Sequence, residues 1–190
     1  ILGLWHQGIV AAACLSDLGY KIIASDPNKE KIKNLNNGII PIYEPGLKEL
    51  VNKGIKNNRL KFVSDLASAV SNKEFVFLMF DTKVDENDLT DLTEIIEATK
   101  QIARHLKNKC IIYNTSQVPV GTSEKILNLI EEINPKVNAS IVYSPENLRL
   151  GEAIKLFLNP ALPVLGSNDI ESLQKLETLL EPLNVNWLKV

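Results

Sequence analysis

Long apolar runs are the first thing this sequence lacks. Runs such as Phe75–Phe80 fall far short of the about 20 apolar residues a membrane-crossing helix needs, so no membrane partner is expected. An excess of one charge sign is missing too. The 21 Lys and Arg against 23 Asp and Glu leave a net charge of -2, which gives no electrostatic reason to expect nucleic acid or an anionic surface as partner. Cysteine is scarce. Cys14 and Cys110 have neither metal-ligand spacing nor a nearby histidine pattern, and both read as buried apolar filler. No secretory signal is visible, so the expected compartment is the cytoplasm. The chain opens on Ile1 rather than methionine, and the natural N-terminus is expected to lie upstream.

What is present is enough for one well-buried domain: 190 residues, 45% of them hydrophobic and 23% charged. Its organising stretch is Ile1–Asp26, ILGLWHQGIVAAACLSDLGYKIIASD. It reads as a short apolar strand, a glycine-bounded turn, a helix and a second strand closed by aspartate. A turn of this kind lets backbone N–H groups approach a pyrophosphate at a helix N-terminus. Gly3 makes the tight turn and Gly8 allows close helix–strand packing. Asp26, 23 residues after Gly3, stands near the spacing at which a carboxylate accepts hydrogen bonds from the adenosine ribose. A glycine is absent from the middle of the G-x-G-x-x-G pattern, where Trp5 stands. The setting of strand, helix and closing acid is what supports the motif despite that gap.

The rest alternates strand and helix with short breaks, the pattern of a parallel sheet covered on both faces. Strands are predicted at Lys21–Ser25, Lys61–Val63, Phe75–Phe80 (at the sheet centre), Cys110–Tyr113, Ser140–Tyr143, Pro163–Gly166 and Val185–Val190. Val10, Cys14 and Leu18 stripe the first helix. Others are predicted over Asn28–Asn36, from Gly46 to about Asn52, and over Asp65–Val70 behind a Ser64 cap. The clearest helical period runs from Leu92 to Leu106; two more carry Ile126, Leu129, Ile130 and Ile133, and Leu173, Leu176, Leu179 and Leu180. The predicted fold class is α/β, a doubly wound, mostly parallel, Rossmann-like sheet forming a single domain over residues 1–190. In such sheets ligands bind outside the carboxyl ends of the strands. The segments there are Gly3–Gly8, Asp26–Lys31, Asp81–Val84, Asn114–Gly121 and Ser144–Gly151.

Four motifs, GLWHQG, YEPGL (Tyr43–Leu47), TSQVPVGT (Thr115–Thr122) and SPENLRLGEAI (Ser144–Ile154), together resemble the UDP-glucose/GDP-mannose dehydrogenase family of nucleotide-sugar dehydrogenases. The resemblance covers the whole chain but only that family's N-terminal, NAD-binding domain. It implies NAD as cofactor, a nucleotide-linked sugar as substrate, and oxidation of the sugar C6 hydroxyl to a carboxylate by two successive NAD. It further implies that Gly3, Leu4, Trp5, His6, Gln7 and Gly8 form the cofactor turn, and that Asp26 and Lys31 grip the adenosine ribose. By the same resemblance Thr82, Ser116 and Gln117 lie beside the cofactor, Glu146 and Gln117 serve catalysis, and Glu146, Asn147 and Leu148 meet the substrate. The family's catalytic cysteine belongs to a C-terminal substrate domain, expected to be absent from this chain. The full-length protein is expected to be a homodimer or higher oligomer.

The sequence also departs from that pattern. Trp5 replaces a glycine, with its indole expected to turn away. Lys83 replaces the proline after Thr82. Gln117 stands where threonine is common, near the catalytic water. Leu150 stands where several members carry a second glutamate facing the nicotinamide. No metal site is predicted; Asp85, Glu86, Asp88 and Asp91 read as the acidic start of the long helix. His6 reads as a backbone contributor to the turn, and His105 as a solvated residue at a helix end. The alternative to an enzyme is a free-standing module that holds NAD without turnover.

Overall fold

Seven short strands and eight helices make up the computed structural model, which describes residues 1–190. β1 (Ile22–Ser25), β2 (Leu60–Val63), β3 (Phe75–Leu78), β4 (Ile111–Asn114) and β5 (Ser140–Tyr143) are parallel. Leu2 bridges Ser25 on one side and Leu78 on the other, so the N-terminal segment threads the middle of the sheet. The spatial order is therefore β2, β1, the Leu2 segment, β3, β4, β5. The chain leaves the centre toward β1 and β2, then crosses back to β3. That reversal is the switch point at which such sheets open a crevice.

Alternation along the strands divides the core. Val76, Leu78 and Ile112 face one layer with α4 (Leu66–Val70), α5 (Thr93–Ile102) and α6 (Thr122–Ile133). Phe77, Met79, Ile111 and Tyr113 face the other layer, with α1 (His6–Asp17) and α8 (Ile170–Leu179). α2 (Lys29–Asn36), α3 (Leu47–Lys56) and α7 (Ala153–Leu158) extend that second layer over β1 and β2. α1 is buried all round from Gln7 to Ser16. Its apolar stripe predicts one hidden face; the other faces are hidden because α3 and α7 lie across it and Ala12 and Ala13 keep the contact close.

Several boundaries differ from the sequence expectation. α3 runs on through Gly54 to Lys56, because the glycine is where α3 meets α1; an added Cβ would stand 2.6 Å from Ser16 Oγ. The cap of α4 is Asp65, not Ser64: its backbone is extended and its side chain accepts the Ala67 N–H at 3.1 Å. The long helix ends at Ile102 and tightens into a 3₁₀ turn, Ala103–His105, whose Ala103 carbonyl accepts from Asn134 Nδ2 at 3.2 Å. Only Val164–Leu165 (β6) and Leu188–Lys189 (β7) of the last two predicted strands are extended and paired. Gly166 bridges Tyr143 antiparallel, which closes this edge of the sheet. In the acidic stretch, Asp85 accepts the Asn87 and Leu89 N–H groups and closes its own turn, leaving Asp91 to cap the helix through Thr93. No helix is long and apolar enough to cross a membrane.

Candidate active site

The turn at the switch point is built by two glycines that nothing else could replace. Gly3 has φ +89°, and a Cβ there would lie 2.7 Å from the Met79 carbonyl oxygen. At Gly8 a Cβ would lie 1.8 Å from the Gly3 carbonyl oxygen, an overlap no rotamer relieves. α1 therefore starts directly against the strand. Its first turn bond is Ile9 N–H to Trp5 O, and Trp5 supplies no side-chain cap. The N–H groups of His6, Gln7 and Gly8 consequently have no intrahelical acceptor and point at the crevice. An uncapped helix start beside a crowded glycine turn fits the pyrophosphate of a dinucleotide.

Asp26, 6% exposed, closes β1 beside this turn. Its Oδ2 accepts the Leu4 N–H at 3.2 Å and Lys31 Nζ at 2.5 Å, and its Oδ1 accepts the Asn28 N–H at 3.0 Å. A carboxylate has about four acceptor sites, so one remains for a ribose hydroxyl, with Lys31 the partner most easily displaced. Asn28 caps α2 by accepting the Lys31 N–H at 3.0 Å, which sets Lys31 one turn along, facing back to Asp26.

The other sequence-predicted residues divide into those at the crevice and those beneath it. Leu4 is 1% exposed; its side chain belongs to the core and its N–H is taken by Asp26, so it shapes the turn rather than offering a donor. Gln7 is buried: Oε1 accepts the Thr115 hydroxyl at 2.6 Å, and Nε2 lies 3.5 Å from the Phe80 carbonyl. Ser116 is fully buried and its Oγ accepts the Phe80 N–H at 2.9 Å. Gln7 and Ser116 thus staple the ends of β3 and β4 to α1, so their side chains are spent inside the fold and only their backbone is left to the crevice. Thr82 donates its hydroxyl to the Gln117 carbonyl, while the Gln117 side chain is exposed; what Gln117 supplies here is its backbone. Trp5 presents its indole at the surface, 47% exposed.

Besides the backbone N–H it lends to the turn, His6 places its side chain beside a second buried group. Its Nε2 is buried without a hydrogen-bond partner and stands 3.8 Å from Glu44 Oε2. Glu44, from the YEPGL stretch, is a residue the sequence reading left without a role. It accepts the Gly151 and Ala153 N–H groups, each at 2.8 Å. Charge-assisted bonds of this kind contribute about 1.5–3 kcal/mol each. The signal that would have found it is a carboxylate directly before a Pro-Gly turn.

Glu146 follows β5 and lies on the wall of a cavity of about 90 Å³ bounded also by Gln7, Thr115, Ser144 and Leu148. Its carboxylate accepts the Leu148 N–H. Asn147 points to solvent, whereas Leu148 packs on the α1–α3 layer. Partial burial pushes the Glu146 carboxyl above its ordinary value of 4.5; the Leu148 N–H and His6 draw it back and Asp81 adds to the rise. Glu146 is therefore a carboxyl at this edge that holds a proton more readily than an ordinary one. Cys14 and Cys110 are buried elsewhere, and burial raises each thiol to about 12, so neither serves as a thiolate.

The sequence model of the UDP-glucose/GDP-mannose dehydrogenase family, NAD binding domain, matches residues 1–184. The chain belongs to this family. The UDP-glucose 6-dehydrogenase TuaD of Bacillus subtilis is 33% identical over 190 residues, covering 100% of this chain and 41% of that protein. Among solved structures, a UDP-glucose dehydrogenase from the archaeon Pyrobaculum islandicum superposes with a TM-score of 0.93 at 27% identity, over 100% of this chain and 45% of its own. A ternary complex of GDP-mannose dehydrogenase from Pseudomonas aeruginosa gives 0.92 at 30% identity, over 99% and 45%. The chain thus spans less than half the length of these UDP-glucose/GDP-mannose dehydrogenase relatives. The glycine turn, the uncapped α1 and Asp26 are the parts of its NAD-binding fold that fit the cofactor.

Two outcomes follow from this geometry. Gly8→Val collides with the Gly3 carbonyl and should weaken NAD binding by at least about tenfold or unfold the domain, whereas Trp5→Gly should hold affinity within about threefold; calorimetry reads both, and the opposite ranking would place the turn elsewhere. Glu146 has a folded-state pKa above its unfolded value, so its ionisation costs stability. That cost is absent below about pH 4.5 and grows as pH rises through the folded value. Glu146→Gln keeps the bond from Leu148 and should therefore raise the melting temperature at pH 7 but not at pH 3.5; an equal shift at both would contradict the assignment.

Proposed function

We propose that this domain supplies the NAD-binding half of a nucleotide-sugar 6-dehydrogenase acting on a UDP-glucose-type substrate. The observation that carries the reading is the pairing, at one strand edge, of a dinucleotide turn with a carboxyl group held above its ordinary range. When bound, NAD accepts hydride from the sugar C6. The α1 N-terminus would hold the pyrophosphate, Asp26 with Lys31 the adenosine ribose, and Gly3 the close approach of the backbone. Glu146 would stand at the sugar, orienting a hydroxyl or water and holding a proton, with Asn147 and Leu148 beside it. Thr82, Gln117 and Leu4 would act through the turn and loop backbones. Groups that hold or transfer a proton in this way contribute roughly 10²- to 10⁴-fold in rate.

Passing from aldehyde to acid calls for a nucleophile and a donor at the oxyanion. Neither cysteine of residues 1–190 can act as that nucleophile, since both are buried and their thiols lie at about 12. The acid-forming step is accordingly proposed to depend on a cysteine outside this stretch, in a C-terminal substrate domain. The full-length protein is proposed to work as a homodimer or higher oligomer in the cytoplasm, in line with the family resemblance.

The test is to follow NADH absorbance with NAD and UDP-glucose, then GDP-mannose, for residues 1–190 and for the full-length protein. NAD binding without turnover is expected from residues 1–190, and NADH production from the full-length protein. Steady NADH from residues 1–190 alone, or none from the full-length protein with any UDP- or GDP-sugar, would overturn the proposal.

A further inference from the structure

Two stretches that lie more than a hundred positions apart meet at one buried carboxylate. Glu44 is 6% exposed. Its Oε2 takes the Gly151 N–H and its Oε1 the Ala153 N–H, both at 2.8 Å. α7 has no side-chain cap of its own at Glu152, so Glu44 performs that service from the turn before α3. Glycine turns on both sides make the approach possible: Gly46 at φ +80° and Gly151 at φ +89°. The two turns face each other, since a Cβ at Gly46 would meet Ile154 Cδ1 at 3.8 Å.

The loop so fastened is the one that carries Glu146. At its start, Ser144 N–H is held by the Asn114 carbonyl at 3.0 Å. At its end, Glu44 holds Gly151 and Ala153. Between these anchors Glu146 accepts only from Leu148, inside the same loop. Meanwhile Glu44 Oε2 stands 3.8 Å from Nε2 of His6, the first residue of α1 and part of the glycine turn. One carboxylate therefore touches both the loop bearing Glu146 and the helix start that would hold the cofactor.

We propose that Glu44 is a positioning residue: by gripping Gly151 and Ala153 beside His6, it sets Glu146 in register with the cofactor turn. Glutamate suits the task. It has two acceptor oxygens, no donors, and the length to reach two loop amides from the turn before α3. Glutamine has the same shape but would aim an N–H at one of those amides. Aspartate keeps both acceptors on a shorter stem. A loop released at its far end would let Glu146 shift, and displacements of about 1 Å at a reacting centre cost about 10²-fold in rate.

The role of Glu146 assumed here rests on the function proposed above, so the experiment has one arm independent of turnover. In the full-length protein, Glu44→Gln should speed amide hydrogen exchange at one or both of Gly151 and Ala153 by at least about tenfold, leaving Leu4 and Ile9 unchanged. With NAD and UDP-glucose as probes, kcat should fall about 10- to 100-fold while KM for NAD stays within about threefold. Glu44→Asp should recover part of kcat and of the protection, and carries the same comparison if the glutamine variant does not fold. Unchanged exchange at both Gly151 and Ala153, an unchanged kcat in folded variants, or a parallel loss of NAD affinity would each overturn the proposal. If the wild type turns over no sugar nucleotide, the functional reading fails, and the exchange arm alone judges whether Glu44 holds the loop.

Discussion

The close approach of Gly8 to the Gly3 carbonyl, with 1.8 Å left for any Cβ, is the constraint on which the rest of the structure depends. It brings the N-terminus of α1 hard against the central strand, so three backbone N–H groups emerge where β1 and β3 diverge. Everything around α1 then follows its position. Ala12 and Ala13 let α3 and α7 lie across it, and Gly54 of α3 leaves room for Ser16 at the crossing. Gln7 reaches into the sheet edge to meet Thr115. Larger residues at these positions would push the helix outward, and the open N–H groups would leave the crevice with it.

Around this frame the carboxylates are treated unequally. Asp26 is satisfied by Leu4, Asn28 and Lys31, and Glu44 by two loop amides. Such groups rigidify their surroundings, because a buried charge fully supplied with donors has little reason to move. Glu146 has one donor, partial burial and Asp81 nearby, and its carboxyl sits above the ordinary range. The satisfied acids build the site; the unsatisfied one is left available for chemistry. That division is the usual pattern by which a fold tolerates local instability where function needs it.

Much of this architecture was legible in the sequence because it is local or periodic. The Gly3–Gly8 turn, Asp26 at its spacing, and the β3 and α5 patterns each announce themselves within a short window. The continuous apolar runs Phe75–Phe80 and Cys110–Tyr113 mark strands covered on both faces. Less legible were residues whose roles depend on distant partners. Gln7 and Ser116 lie in motifs associated with the cofactor, yet their side chains are consumed by Thr115 and Phe80. Glu44 finds its amides 107 and 109 positions away, and no period in the chain encodes such a meeting. The extension of α3 through Gly54 was hidden for the same reason: a glycine that reads as a helix stop is instead a helix crossing.

The end of β1 is the proposed place where the cofactor is chosen. Asp26 keeps one acceptor site for a ribose hydroxyl, and a 2′-phosphate would instead be brought beside a buried carboxylate that Lys31 only partly neutralises. The most direct test is a calorimetric comparison of NAD and NADP binding to the wild-type protein and to Asp26→Asn. The account predicts that NAD binds the wild type at least about tenfold tighter and that the substitution narrows the gap. Equal affinities, or tighter NADP, in the wild type would contradict it.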